Sequence, residues 1–516
     1  NLYRDTHKFD KAEPLYKRAL AIREKALGED HPHVSNSLNN LAVLYRERGE
    51  YQKAEELLLK SIAIREKALG GEHATLAYPL TSLGELYFDK GESEVALQYF
   101  SRALTIRERI LGTEHPEVAG LLYLLADVYR SIGEIDKAVN SSVRGNEVRE
   151  HDFQRNLVSG SEREKLAYLK KTAVELDKTI SLHIQSAPTN RLAAEVAMTV
   201  ILRRKGRALD AMANSVAALH SRSDKEDQQL LDELSDARNS LSRTLLEGEP
   251  EERGEDHAAA IKDLEERVEI LERRIGLKYA EYNLMIMKPS ITVNAVGQAL
   301  PPNSTLIEYV TYRPFDPKTR KLGQARYAAY ALTSQGEIKY KDIGEVTEID
   351  RRVEAFRSVL RDSGSDIERE VKQRGRRLDA LVMEPMRKVL GSKRLFISPD
   401  GALNLIPFDA LVDERGRYLV ESFEITYLTS GRDLLRLQKK IKSKAVPVLV
   451  ADPDFAVGEG PRIGKWVVEP LKRLKGTAEE AVRIRKHFRS ARLIVRRRAT
   501  EEAVRRVAGP EFLHLA

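Results

Sequence analysis

The chain contains no cysteine, which excludes disulfides, thiolate metal sites and a cysteine nucleophile from this polypeptide. Aromatic residues are sparse at 6%, with one tryptophan, so stacking platforms for bases are few. No window holds the roughly 18 consecutive apolar residues that a membrane-spanning helix needs, and a membrane partner is not expected. Nor do the motifs Gly-x-Ser-x-Gly, His-Glu-x-x-His or Cys-x-x-Cys occur, so three common hydrolase and metal signatures are missing. At its ends the chain starts abruptly at Asn1-Leu2-Tyr3-Arg4 and stops inside the apolar run Phe512-Leu513-His514-Leu515-Ala516. We therefore expect a fragment, cut at both ends, of a cytoplasmic protein.

What is present is an ordinary soluble composition, 42% apolar and 32% charged over 516 residues, enough for about three domains. The net charge of +7 is uneven: from Lys472 to Arg498 there are eleven Lys/Arg against Glu479 and Glu480. Without interleaved aromatics this segment reads as a solvated helix face and strand edge, and a nucleic-acid partner is not expected.

Self-similarity organises the first part. Ala12, Ala54, Ala96 and Ala138 are each 42 residues apart, as are Leu27-Gly28, Leu69-Gly70 and Leu111-Gly112, and His31, His73 and His115. Within a unit, Ser37 to Tyr45 has helical spacing and ends near Gly49; a second helix follows from Tyr51 towards Gly70. Small residues at Ala54 and Ser61 allow close helix approach, with Leu41, Tyr45 and Leu58 filling the seam. One such pair cannot bury its apolar face, whereas stacked pairs can, giving a superhelical solenoid. The order of small and large positions resembles the tetratricopeptide repeat, in the 42-residue form found in kinesin light chains, over about residues 1–150.

That resemblance implies a concave face built by the first helix of each pair. Asn36, Asn39, Val43 and Arg46, then Tyr78, Thr81, Glu85 and Phe88, then Tyr123, Asp127 and Arg130 are the candidate partner-binding residues, suited to a protein or extended peptide. The three repeating histidines are not expected to share a metal, because successive repeats are displaced by about 10 Å. Each sits before a helix, and a loop-packing role is expected.

Residues 151–290 read as a helical linker. Ile261, Leu264, Val268, Leu271 and Ile275 form a short heptad seam, and Leu230, Leu234, Ala237 and Leu241 offer a matching stripe before a turn at Gly248-Glu249-Pro250, so an antiparallel coiled-coil hairpin is predicted.

After Pro289 helix and strand patterns alternate. Strands are predicted at Thr305–Val310, Tyr327–Leu332, Arg394–Ser398, Val446–Ala451, Leu493–Val495 and Phe512–Ala516, and helices near 350–360, 368–390 and 477–488. The run Ser398-Pro399-Asp400-Gly401-Ala402-Leu403-Asn404-Leu405-Ile406-Pro407-Phe408-Asp409-Ala410-Leu411, with Lys475-Gly476-Thr477-Ala478-Glu479-Glu480-Ala481 and His514-Leu515-Ala516, resembles CHAT, the caspase-like domain associated with tetratricopeptide repeats, over about 291–516.

The expected fold is thus an all-α repeat solenoid and helical linker followed by an incomplete α/β caspase-like domain with a mostly parallel sheet. The resemblance implies a cysteine endopeptidase with a His/Cys dyad. In the family pattern His-Leu-Ala continues into Thr-His-Gly, whose histidine is catalytic, and the cysteine comes later. His514 matches the family's first, non-catalytic histidine, for which a buried structural role is expected. No catalytic, cofactor or metal residue is assigned here. The whole protein would act on a protein substrate and be controlled through its repeats; the alternative is a non-catalytic scaffold. Two weaker patterns are set aside. Gly460 to Trp466 falls one residue short of a phosphate loop and lacks its Ser/Thr, and Asp452-Pro453-Asp454 reads as a turn and not a cation site.

Overall fold

The computed structural model describes residues 2–6, 8–157, 159–207, 225–246, 255–283, 291–361, 367–438, 446, 448–453, 462–463, 466–467, 475–488, 490–496, 498–499 and 513–515. They form two compact units: Asn1–Ser159, Glu164–Ala211 and Asn283–Leu435 in the first, Gly160–Arg163, Met212–Tyr282 and Arg436–Ala516 in the second. These boundaries differ from the three expected consecutive domains. Among the described residues no helix is long and apolar enough to cross a membrane.

In the first unit, helix Phe9–Leu27 leads into the pairs Pro32–Glu47 with Tyr51–Leu69, Ala77–Asp89 with Ser93–Leu111, and Pro116–Ser131 with Ile135–Asn156. The turn inside each pair is chemically specified. Gly49, Gly91 and Gly133 take φ of 79°, 83° and 81°, and the following glutamates Glu50, Glu92 and Glu134 donate their backbone N–H to Tyr45, Tyr87 and Tyr129 at 2.9, 2.8 and 2.9 Å. This is the Schellman closure, which needs a left-handed residue and therefore favours glycine. Ala54, Leu58 and Ser61 are fully buried, and the Ser35 and Ser61 hydroxyls meet at 2.7 Å, a spacing larger side chains would prevent. The histidines are helix caps: Nδ1 of His31, His73 and His115 accepts from the backbone N–H of His33, Thr75 and Glu117 at 3.2, 3.3 and 3.3 Å, satisfying a donor that the first turn leaves open.

The same unit contains a sheet of β1 (Ser304–Tyr312), β4 (Arg326–Thr333), β5 (Ile338–Glu345), β6 (Arg394–Ser398) and β7 (Glu424–Tyr427), with a small antiparallel hairpin of β2 (Phe315–Asp316) and β3 (Lys321–Leu322). Strand order is β5-β4-β1-β6-β7. The β1, β6 and β7 neighbours are parallel, and β4 is antiparallel to both β1 and β5, so only β4 runs against the rest. Period-2 alternation splits β1 between two cores. Ile307 and Tyr309 pack with Val353, Phe356, Leu378 and Met386, whereas Leu306 and Val310 pack with Ile180, Met198, Ile201 and Leu202. Helices Ala173–Ser181 and Arg191–Arg204, expected to belong to a linker, thus cover one sheet face.

The helix expected over 368–390 instead ends at Val382 and resumes as Glu384–Arg387, because Pro385 cannot donate within a continuous helix. Strands β5 and β7 were not expected. β5 lies at the sheet edge with Lys341 and Asp342 exposed, so its alternation is diluted by polar residues.

In the second unit, helices Lys225–Leu246 and Glu255–Asn283 bury Leu230, Leu231, Leu234 and Ala237 against Val268, Leu271 and Ile275. Arg238 pairs with Glu272 at 2.7 Å and Lys278 with Asp227 at 3.0 Å, which fixes an antiparallel pairing of the two stripes. The expected turn at Gly248-Glu249-Pro250 lies outside the described residues. A second sheet has the order β11 (Arg492–Arg496), β8 (Val448–Pro453), β12 (Leu513–Leu515), all parallel. Leu449 and Ala451 pack on Ala481 and Ile484 of helix Lys475–His487, and Val448 and Val450 on Ile494. On that helix Arg483, Arg485 and Lys486 are exposed. β9 (Arg462–Ile463) and β10 (Trp466–Val467) pair antiparallel, where a phosphate loop would require a helix.

Candidate functional site on the repeat face

Side chains from the first helix of each pair meet along one face of the repeats. Arg46 pairs with Glu85 and lies 3.6 Å from Asp89, joining the first two repeats. Asn36 accepts from Arg65, and Thr81 donates to the Ala77 carbonyl at 2.6 Å. Tyr78 is exposed, with the Arg107 guanidinium 4.7 Å from its ring centre. Val43 is half-buried. The Asn39 amide oxygen is buried and has no hydrogen-bond partner among the described residues. A buried acceptor without a donor is costly.

The third repeat differs: Tyr123, Asp127 and Arg130 are all buried and engaged by the chain itself. Tyr123 donates to Asn146 at 2.9 Å. Asp127 pairs with Lys178; burial pushes its carboxyl pKa up, against the pull of that ammonium. Arg130 donates to Gln185 at 2.6 Å, Ser186 at 2.6 Å and the carbonyl of Phe315 at 3.0 Å.

Phe315 starts the β2–β3 hairpin. Its ring is buried beneath Lys178, whose ammonium is 4.6 Å from the ring centre. From the turn of the hairpin, Arg320 donates to Asp89 at 2.9 Å and Glu85 at 3.0 Å, and its guanidinium lies 5.8 Å from the Phe88 ring centre. Burial alone would raise the Glu85 pKa, yet Arg46 and Arg320 together hold it below the usual carboxylate range. The face therefore carries alternating charge: Arg46, the Glu85/Asp89 pair, Arg320, then Asp127, Lys178 and Arg130. Asp89, Lys178, Gln185, Phe315 and Arg320 were not foreseen as site residues. Phe315 stands 185 positions from Arg130, and Arg320 stands 231 and 235 positions from Asp89 and Glu85, and no local pattern marks such a contact.

The Ser398–Leu411 run closes the end of β6. Asp400 accepts from the backbone N–H and hydroxyl of Thr311 at 2.7 and 2.9 Å, Ser398 donates to the Thr429 carbonyl at 2.9 Å, and the Tyr327 hydroxyl takes the Ala402 N–H at 3.0 Å while donating to Asp350 at 2.8 Å. These residues hold β1, β4 and β6 together. His514 sits at the centre of β12 opposite Leu449. Among the described residues no group of His, Asp or Glu could hold a metal ion.

Residues 372–516 match the family model described as CHAT domain, and residues 1–67 and 73–142 match that described as Tetratricopeptide repeat. Among solved structures, BtubC (BKLC) from P. vanneervenii is 21% identical, aligned over 41% of this chain and 76% of its own, with a TM-score of 0.32. A Podosopora anserina protein described as a kinesin light chain with nearly identical TPR-like repeats is 23% identical, aligned over 41% of this chain and 91% of its own, with a TM-score of 0.30. No curated protein matches the sequence. The chain combines N-terminal tetratricopeptide repeats with a CHAT domain, a caspase-like, protease-related family, at residues 372–516.

Proposed function

We propose that the repeat face is the regulatory input of a caspase-like cysteine endopeptidase, read by a protein or peptide ligand whose binding is passed to the sheet through the β2–β3 hairpin. The supporting observation is continuity. β1 ends at Tyr312, and three residues later the chain is gripped by Arg130 at the Phe315 carbonyl. A ligand that shifts these contacts acts on a segment leading directly into the central strand. Coupling of this kind is typically worth about 1–3 kcal/mol.

Peptide hydrolysis in this family requires a thiolate to attack the carbonyl and an imidazole to move the proton. With no cysteine in the sequence, we assign the dyad to sequence outside these 516 residues, whose part is to bind the regulator and build the sheet. As a test, a polypeptide carrying the full dyad is assayed on a candidate protein substrate with its cysteine replaced by alanine. Loss of cleavage is expected. Unchanged cleavage would contradict the cysteine-peptidase reading, absence of cleavage by the polypeptide with its dyad intact would leave the scaffold reading, and cleavage by the 516-residue chain itself would overturn both.

A further inference from the structure

The second repeat carries more negative charge than its own residues neutralise. Arg46 supplies one positive charge to the two carboxylates of Glu85 and Asp89, and Arg320, from the α/β part of the chain, supplies the other. Removing Arg320 would leave a half-buried pocket with one uncompensated negative charge beside the Phe88 ring, a setting that selects a planar guanidinium. We infer that Glu85, Asp89 and Phe88 form an arginine-recognition site that Arg320 fills from within the chain, and that the polypeptide partner of the repeat face presents an arginine that takes its place. This inference rests on the reading of the repeat face as a ligand-binding surface and names the chemistry of that ligand.

The hairpin is built for such an exchange. Its ladder has only two residue pairs, Phe315 with Leu322 and Asp316 with Lys321. The turn between them is held locally, by Asp316 accepting from the Lys318 N–H at 2.9 Å and the Thr319 hydroxyl at 2.8 Å. Lys318 and Thr319 are exposed. Arg320 itself has φ of +55°, a conformation non-glycine residues adopt at a cost and retain only where the surroundings enforce it. The root, by contrast, is anchored through buried Phe315 and Arg130. The tip with Arg320 can therefore leave its carboxylates without unpacking β1.

The direct test uses the full 516-residue chain and a fluorescent peptide copying Tyr312 to Gly323. The Arg320→Ala chain should bind this peptide at least about tenfold more tightly than the unmodified chain. A peptide with alanine in place of its arginine should lose that gain, and so should a chain that also carries Glu85→Gln and Asp89→Asn. Equal binding by the two chains, or of the two peptides, would overturn the inference. If Arg320→Ala does not fold, the Glu85→Gln/Asp89→Asn chain takes over, and its amides 316–322 should exchange at least about tenfold faster, with unchanged exchange overturning the proposal. A regulator that binds this double variant as tightly as the unmodified chain would sink the arginine site while leaving the wider repeat face as input.

Discussion

Glu308 is the sole charge on β1 and fully buried. The Lys205 ammonium reaches its carboxylate at 3.0 Å, the Tyr309 carbonyl at 2.9 Å and the Ser398 carbonyl at 2.7 Å, while Ser430 and Gly431 donate to the other carboxylate oxygen. Lys205→Met removes the cation but leaves the buried anion, so we expect a loss of about 3–5 kcal/mol in urea denaturation; adding Glu308→Leu should recover most of it. Glu308 falls inside a strand predicted from sequence, but its partner lies 103 residues away and has no sequence signal. His183 is legible only in part for the same reason. Its Nδ1 lies 2.8 Å from the Tyr330 hydroxyl and its ring 4.3 Å from that of Tyr340. Burial lowers its pKa to about 4, so it is neutral in the fold while the unfolded chain takes up a proton near pH 6.5. The unfolded state therefore binds more protons between these values, and stability should fall as pH drops from about 6.5 to 4, then level off for this group. Thermal melts of the unmodified chain and His183→Gln should show the steeper loss over this range in the former.

Elements with strong periodicity were recognisable from sequence; those defined by tertiary context were not. The repeat helices carry 42-residue signals at every level, from Ala54 in the seam to Gly49 in the turn, and the stripes Leu230/Leu234/Ala237 and Val268/Leu271/Ile275 did find each other. The helical pattern over 368–390 runs across Pro385, where the helix breaks, the short strands β2, β3 and β7 carry too few residues for a pattern, and the eight-residue edge strand β5 has its alternation diluted by polar residues. After β6 the chain turns at Pro399-Asp400-Gly401. Gly401 has φ of +53°, and a Cβ there would collide with the Tyr327 hydroxyl. Gly401→Ala should therefore cost about 1–3 kcal/mol, measured by chemical denaturation. A neutral result would mean that the turn relaxes without strain.

For the whole chain, the sequence correctly suggested a repeat array followed by a sheet-containing region, but not the way helices 173–204 join the sheet core, nor that the repeat face is met by the chain's own hairpin. Both depend on contacts between distant segments, and residues such as Tyr123, Asp127 and Arg130 look like free binding groups until their partners are seen. The contact between Arg320 and the second repeat is the centre of the proposed function, since it joins the repeat face to the segment feeding β1. Hydrogen exchange on the intact chain tests it most directly, comparing the unmodified protein with Glu85→Gln/Asp89→Asn. We expect amides 316–322 to exchange faster in the variant while those of β4 keep their protection; identical exchange at the hairpin in both proteins would contradict the proposed hold of the repeats on it.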